Sequence, residues 1–238
     1  MAHRPRNLSR PADFLLARVL HRDGLILIVD KPAGLPVHAG PGGDEALEDY
    51  FDALRFGLPR APALAHRLDR DTSGCLVLGR HAKALRKLGR LFQAGLVEKT
   101  YLAICEGAPT EPSGRIDAAL VKTTRPKGWR MEIAAADAPG AKPALTTYRT
   151  LKTANGRSVI EAKPKTGRTH QIRVHLASLG CPIVADAAYG ADAKRVGEPL
   201  MLHAARIVLP LSTTKPPVAA EAPAPPAMRD ALERLGVG

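Results

Sequence analysis

Short apolar runs, most of them bounded by glycine, proline or aspartate, recur through the middle of the chain. Runs of this length that are rich in valine, isoleucine and leucine predict β-strands. The predicted strands cover residues 25–29, 75–78, 100–105, 130–134, 145–151, 158–162 and 202–209. A run such as 25–29 is far shorter than the ~20 apolar residues of a membrane-spanning helix, so no membrane segment is expected.

Three other stretches repeat apolar residues at helical spacing and predict helices over residues 44–56, 82–94 and 169–179. In the second stretch Leu85, Leu88 and Phe92 share one face, and glycine follows the last turn. The strands come in clusters with few helices between them and no regular strand–helix alternation. This arrangement predicts an α+β fold with an extended, mixed and mainly antiparallel sheet and a few flanking helices.

The two ends of the chain differ from the body between them. Residues 1–22 carry five arginines against one aspartate and predict a basic extension before the fold. From residue 215 onward the sequence KPPVAAEAPAPP has too many prolines for a helix or a central strand. We therefore expect a body over 23–212 and a C-terminal part over 213–238, made of an extended surface segment and a short helix over 227–235.

The positive net charge of the chain indicates a negatively charged binding partner. The 238 residues include 35 Lys or Arg and 23 Asp or Glu, a formal net charge of +12. Residues 60–99 hold nine basic and three acidic side chains, and residues 142–175 hold eight and one. A solvated surface explains any single lysine, but this concentration favours a groove that binds nucleic acid. Aromatic residues are few, so phosphate contacts and a strong salt dependence are expected.

The cysteines and histidines give no sign of a metal site. Cys75, Cys105 and Cys181 are isolated from one another, which predicts reduced thiols in the core instead of disulfides or a zinc site. His170 and His175 are five residues apart and fall on different helix faces, which disfavours a metal pair. We expect no cofactor and, without a signal peptide in this sequence, a cytoplasmic protein.

The most informative segment is AHRLDRDTSG, residues 65–74, which lies directly before a predicted strand. One interpretation is structural, with Asp, Thr and Ser side chains capping backbone N–H groups and Gly74 adopting an unusual φ. The other is catalytic, because basic residues on both sides of Asp69 favour its charged form and its use as nucleophile or base. Spacing alone leaves both interpretations open.

A second polar segment, KTGRTHQIRVH at residues 165–175, contains a glycine turn that opens a predicted helix. Free N–H groups at a helix start suit a phosphate or a carboxylate. His170 and Arg173 share one face, and Ile172 and Leu176 lie on the apolar face. For His170, a satisfied structural role and an RNA contact both fit.

Two weaker segments complete the set. DKPAGLPVH at 30–38 is a loop after the first strand, and EKTYLA at 98–103 opens another strand. Five segments occur in an order that resembles the RluA-type family of RNA pseudouridine synthases over residues 25–210. They are DKPAGLPVH, HRLDRDTSG, EKTYLA, GRTHQIRVHLASLGCPIVADAAYG and LHAARIVL. The HRLD-to-TSG segment is the signature of that family. Ala185 departs from the pattern, because many members have glycine there, and no region resembles an S4 RNA-binding domain.

The resemblance implies conversion of uridine to pseudouridine in structured RNA, ribosomal or transfer, without metal or organic cofactor. By motif position Asp69 matches the catalytic aspartate, Tyr101 the active-site tyrosine and Arg173 the arginine that pairs with the aspartate. Arg67 matches the arginine thought to fill the gap left by a flipped nucleotide. We expect the remaining motif residues to contact substrate: Lys31, His38, His66, Arg70, Thr72, Arg168, Thr169, His170, Gln171 and Leu202.

The chemistry requires the uracil to leave its stack, because its N1–C1′ bond must break and C5 must bond to C1′. We expect Asp69 and Arg173 to form an ion pair at the floor of the pocket, where each would compensate the other's burial. An N-glycosylase would also flip a base, and an RNA-binding protein would need only the basic surface. A glycoside hydrolase needs two carboxylates, for which Asp71 is the one obvious second candidate. A monomer is expected.

Overall fold

The structure, a computed structural model, describes residues 8–40, 43–126, 128–190 and 198–237. The elements in chain order are β1 (Val19–Arg22), β2 (Ile26–Lys31), β3 (Ala63–Leu64), β4 (Ser73–Gly79), α1 (Ala82–Gln93), β5 (Glu98–Glu106), β6 (Ser113–Asp117), β7 (Leu120–Arg125), β8 (Gly128–Ile133), β9 (Leu145–Ala154), β10 (Arg157–Pro164), α2 (Gln171–Ser178), β11 (Leu202–Leu209), β12 (Val218–Glu221) and α3 (Pro226–Arg234). Two 3₁₀ helices, Leu16–Arg18 and Leu47–Leu54, add to these. The elements form two compact units, Met1–Val97 with Val208–Pro223, and Glu98–Ile207 with Ala224–Gly238.

The first unit is built on an antiparallel sheet with deeply buried central strands. β2 pairs with β4 from Ile26 opposite Gly79 to Lys31 opposite Gly74. β1 pairs with the other edge of β2, and β3 pairs with β4. Every residue of β4 is buried, which explains why its sequence is a continuous apolar run without alternation. This packing fixes the position of the segment that enters β4.

The second unit contains four antiparallel strands in the order β5–β10–β9–β6. β7 and β8 form a separate two-stranded hairpin. Helix α2 packs against this hairpin and against β9 and β10. A small core of Leu120, Met131, Ala144 and Val174 lies between helix and hairpin, and Tyr189 packs against it. The core holds α2, which carries Arg173, at a fixed position in the unit.

The α+β class with a mainly antiparallel sheet and few helices is confirmed, and the three cysteines are buried as predicted. The helix predicted over 44–56 is instead the 3₁₀ helix Leu47–Leu54. Over two turns the apolar spacing of a 3₁₀ helix and an α-helix is nearly the same, so the pattern predicted the wrong type.

Both ends of the chain take more part in the fold than the sequence predicted. Residues 1–7 lie outside the described part of the chain, but β1 pairs with β2 inside the region predicted to precede the fold. In the proline-rich segment, β12 forms between the prolines, and Ala220 is buried. Both strands are short and have little alternation, so neither shows a clear strand pattern.

Candidate active site

The segment that contains Asp69 forms a turn between β3 and β4. The Thr72 N–H donates to the Asp69 carbonyl at 3.2 Å, and Gly74 has a φ of 107° at the start of β4. Asp69 is partly buried, whereas Arg67 and Arg70 are exposed. The structural interpretation of a glycine-dependent turn is therefore correct for the backbone, and the turn presents basic side chains on both sides of one carboxylate.

Lys31 holds this turn from inside the protein. Its side chain is fully buried, and its Nζ donates to the carbonyl oxygens of Pro32, Arg70 and Thr72 at 2.7, 2.8 and 2.9 Å. Burial lowers the pKa of Lys31 to about 7, and the negative charges of Asp71 and Asp69 oppose that shift. The sequence predicted that Lys31 contacts RNA, but the structure places it beneath the turn as a backbone anchor.

Other predicted contact residues of the first unit also bind their own chain. His66 Nε2 accepts the N–H of Val77 at 3.0 Å, and its ring lies 4.8 Å from that of Phe92. Thr72, another predicted RNA contact, is buried. The His66 ring thus ties the segment before the turn to β4 and α1, and the Thr72 side chain lies inside the protein.

Arg70 and His38 remain at the surface. Arg70 Nε donates to the Gly34 carbonyl at 3.1 Å, which links the turn to the loop after β2. His38 Nδ1 lies 2.6 Å from a carboxylate oxygen of Glu48, and both side chains are exposed. Their exposure is compatible with the predicted contact to RNA.

In the second unit Arg173 is held by a carboxylate that the sequence did not single out. Its Nε and Nη2 each donate to one oxygen of Asp186 at 2.8 Å. The Asp186 side chain is fully buried, and its Oδ1 also accepts the N–H groups of Ala188 and Tyr189 at 3.0 and 3.1 Å. Asp186 thus fixes the plane of the Arg173 guanidinium. A guanidinium has five N–H donors, so this pair is compatible with a second carboxylate partner.

Ala185, next to Asp186, has a φ of 60°. This left-handed conformation favours glycine, which is the residue that many members of the resembled family have at this position. An alanine side chain at this φ therefore adds backbone strain that glycine would avoid.

Gln171 organises the turn before α2. Its Oε1 accepts from the Thr166 hydroxyl at 2.7 Å and from the Arg168 N–H at 3.0 Å. Its Nε2 donates to the Leu145 carbonyl and to Thr146 Oγ1, both at 3.0 Å. The Arg168 N–H, in the turn that leads into α2, therefore donates within the protein to Gln171, which is itself buried. Gln171 is a structural residue of this turn.

The side chains of Arg168 and Thr169 lie nearer the surface. Arg168 is exposed and donates through Nε to the Pro143 carbonyl at 3.0 Å, and Thr169 is partly buried. Leu202, at the start of β11, is buried. Of the three predicted contacts, Arg168 has the most accessible side chain.

Tyr101 and Lys99 lie in β5, where Tyr101 is opposite Ala162 of β10. Tyr101 is nearly buried, with 9% of its surface exposed. Lys99 donates to the Thr166 carbonyl at 3.1 Å, and burial lowers its pKa to about 8. Lys99 thus links the strand of Tyr101 to the turn before α2.

The three predicted catalytic residues belong to different units. Asp69 lies in the first unit, and Tyr101 and Arg173 lie in the second. The predicted ion pair between Asp69 and Arg173 involves one residue of each unit and stays a prediction. Sequence reasoning missed Asp186, although a buried polar residue was to be expected near an arginine on a core helix. In the described part of the chain, no three metal-ligating side chains cluster and no helix is long and apolar enough to cross a membrane.

Comparison with known proteins gives a consistent result. The family model described as RNA pseudouridylate synthase matches residues 25–178. An uncharacterized RNA pseudouridine synthase of Zymomonas mobilis is 46% identical over 218 residues, which cover 91% of this chain and 97% of that protein. Ribosomal large subunit pseudouridine synthase D of Xanthomonas campestris is 38% identical over 78% of this chain, which spans about half, 55%, of that protein's length.

Solved structures agree with the sequence relatives. The structure of human RNA pseudouridylate synthase domain containing 4 has a TM-score of 0.80 and 27% identity, covering 94% of this chain and 95% of that one. The similarity therefore extends over nearly the whole chain and includes both units.

Proposed function

The chain belongs to the RluA-type RNA pseudouridine synthases, and from that premise we propose that Asp69 is the carboxylate that drives uridine isomerisation. The observation that carries the proposal is the anchored turn. A fully buried lysine ammonium, that of Lys31, binds the backbone directly after Asp69, through the carbonyl oxygens of Arg70 and Thr72. A backbone held in this way orients a side chain without using it in packing, which suits a group that acts on substrate.

The isomerisation needs a base-sized pocket and one reactive group, and its atoms balance without a second substrate. The N1–C1′ bond of uridine breaks, a C5–C1′ bond forms, C5 gives up its hydrogen and N1 gains one. Asp69 acts on the ribose or on the uracil ring, by attack at C1′, addition at C6 or removal of the C2′ proton. Tyr101 packs on the uracil.

For Arg173 we propose the role of aiming Asp69 through an ion pair. The bidentate contact with Asp186 supports this role, because it fixes the direction of the guanidinium before any second partner binds. Arg67 is exposed and lies two residues before Asp69 in the sequence. We propose that its side chain fills the space that a flipped nucleotide leaves.

The proposed substrate is a structured RNA, ribosomal or transfer. The ribosomal name of the relative from Xanthomonas campestris supports the ribosomal alternative. A catalytic domain over residues 23–212, a monomeric state and a cytoplasmic location also stay predictions.

Asp69→Asn and Asp71→Asn test the proposal as a matched pair. Both lie in the same turn and lose one negative charge, but Asp71 is exposed and has no proposed catalytic role. We expect Asp69→Asn to lower the release of tritium from C5-labelled uridine by at least ~100-fold. Asp71→Asn should stay near the wild-type rate, and both variants should bind RNA. Near wild-type turnover of Asp69→Asn, or equal losses in both variants, would refute the role of Asp69.

Arg173 is tested by a double-mutant cycle with Asp69. Arg173→Ala leaves the Asp186 carboxylate buried without its partner, so we expect a loss of ~3–5 kcal/mol of unfolding free energy. Arg173→Lys restores charge without the planar fork and should recover only part of the activity. If the proposed pair exists, the effects of Asp69→Asn and Arg173→Lys on activity will not add. Additive effects would remove the aiming role.

A further inference from the structure

Trp129 is the single tryptophan of the chain and is 46% exposed. It lies on β8 opposite Thr124 of β7, two residues before Met131. Because alternate residues of a strand share a face, Trp129 lies on the face whose buried residues, Leu120 and Met131, belong to the core beneath α2. The indole therefore occupies the end of that face where the core stops, and packing alone does not require so large a ring there.

The indole is backed by a fixed ring. Its centroid lies 5.2 Å from that of His170, with an angle of 24° between the ring planes. His170 Nδ1 lies 2.8 Å from the hydroxyl of Tyr189, which also accepts the N–H of Met131 at 3.0 Å. A partly exposed aromatic ring supported by a positioned neighbour is the arrangement that stacks nucleic-acid bases with little loss of entropy.

The surroundings of Trp129 are basic. Lys122 Nζ lies 4.6 Å from the ring, and Arg125 and Arg130 belong to the same hairpin. Glu132 is the acidic residue of these two strands and pairs with both arginines. A stacking ring with cations beside it is complementary to a nucleotide, which offers a π-face and a phosphate, and less so to an apolar protein partner.

We propose that Trp129 stacks on an unpaired base of the substrate RNA while Lys122 contacts a neighbouring phosphate. The proposal rests on the proposed function in taking RNA as the substrate, and it adds an unpaired nucleotide as the feature that the hairpin recognises. His170, which sequence analysis left between a structural and an RNA-contacting role, then supports the stacking ring.

Intrinsic fluorescence reports on this contact directly, because a single indole provides the tryptophan emission. We expect a short oligouridylate without base pairs to quench the emission at saturation. An RNA duplex of equal length that binds to a similar extent should quench it much less. Equal quenching by both RNAs, or binding of the oligouridylate without quenching, would overturn the stacking proposal.

Variants provide a second test with labelled RNA. Trp129→Ala should weaken binding of the oligouridylate by about 5- to 100-fold, and Trp129→Phe, which keeps a ring, by much less. Leu151→Ala is the matched control, since Leu151 is an exposed large hydrophobic residue of the same unit. Thermal unfolding of each variant separates folding from binding, and the Phe variant keeps the test valid if Trp129→Ala is unstable.

The outcomes separate this proposal from the proposed function. Unchanged binding by Trp129→Ala, with tritium release intact, overturns the stacking role and leaves the proposed function standing; a protein partner then becomes the alternative for this surface. If the wild-type protein does not bind RNA and does not release tritium from C5-labelled uridine, the proposed function itself is contradicted.

Discussion

Replacement of Lys31 by methionine tests whether the Asp69 turn is held from beneath. The change keeps the length and most of the volume of the side chain but removes three hydrogen bonds, of 2.7, 2.8 and 2.9 Å. Each carbonyl left without a donor costs ~1–3 kcal/mol of unfolding free energy. Methionine also removes the free-energy cost of burying an ammonium, which offsets part of this loss. We therefore expect Lys31→Met to lower the unfolding free energy by ~2–5 kcal/mol.

The pH dependence of this difference has a defined sign. Burial lowers the pKa of Lys31 to about 7 in the folded protein, from 10.5 for an ordinary lysine. Between these values the unfolded chain binds more protons, so the contribution of Lys31 to stability rises with pH, by at most ~1.4 kcal/mol per pH unit. Below about pH 7 both states are protonated and the contribution is constant. The stability gap between wild type and Lys31→Met should therefore widen above neutral pH.

Urea unfolding at several pH values measures the gap, and tritium release measures the effect on the turn. Lys83→Met is the control, because Lys83 is exposed on α1. It should stay within ~0.5 kcal/mol of wild type. If Lys31→Met unfolds like Lys83→Met and keeps full activity, Lys31 does not hold the turn and the reasoning from its three hydrogen bonds fails.

Three further outcomes are expected. Ala185→Gly relieves a φ of 60°, so its melting temperature should equal or exceed that of wild type; a drop would refute strain at this position. Burial lowers the pKa of His175 below 6.5, so wild type should lose more stability than His175→Gln when the pH falls from about 7.5 to about 5.5, as differential scanning calorimetry can show. RNA affinity should fall by at least ~10-fold between ~50 and ~200 mM salt; a flat titration would contradict the basic groove.

The sequence predicted strands well where burial is continuous and poorly where it is not. β2 and β4 each contain a run of four buried apolar residues, and the pattern found both strands within a few residues of their ends. β6 has one buried residue among five, Ile116, so it shows no alternation to recognise. β12 lies among prolines that disfavour strands in general, although a short strand fits between them.

For the candidate site, the motifs predicted a set of residues, and the structure adds contacts of some of them that spacing did not predict. The sequence draws attention to Asp69 and Arg173 because each is a charged residue beside apolar residues of a core element, β4 for Asp69 and α2 for Arg173. The role of Lys31 depends on carbonyls 39 and 41 residues away, and no spacing rule brings these together. The role of Gln171 is equally hard to predict from the sequence, because its burial depends on the turn that its own side chain organises. Long-range hydrogen bonds of this kind need coordinates.

The central claim is that this protein makes pseudouridine in RNA through Asp69. The most direct test is a map of pseudouridines in total RNA from cells with the gene, without it, and without it but supplied with wild type or Asp69→Asn. We expect that at least one position loses pseudouridine on deletion, that wild type restores it, and that Asp69→Asn does not. Identical maps with and without the gene, or restoration by Asp69→Asn, would contradict the claim.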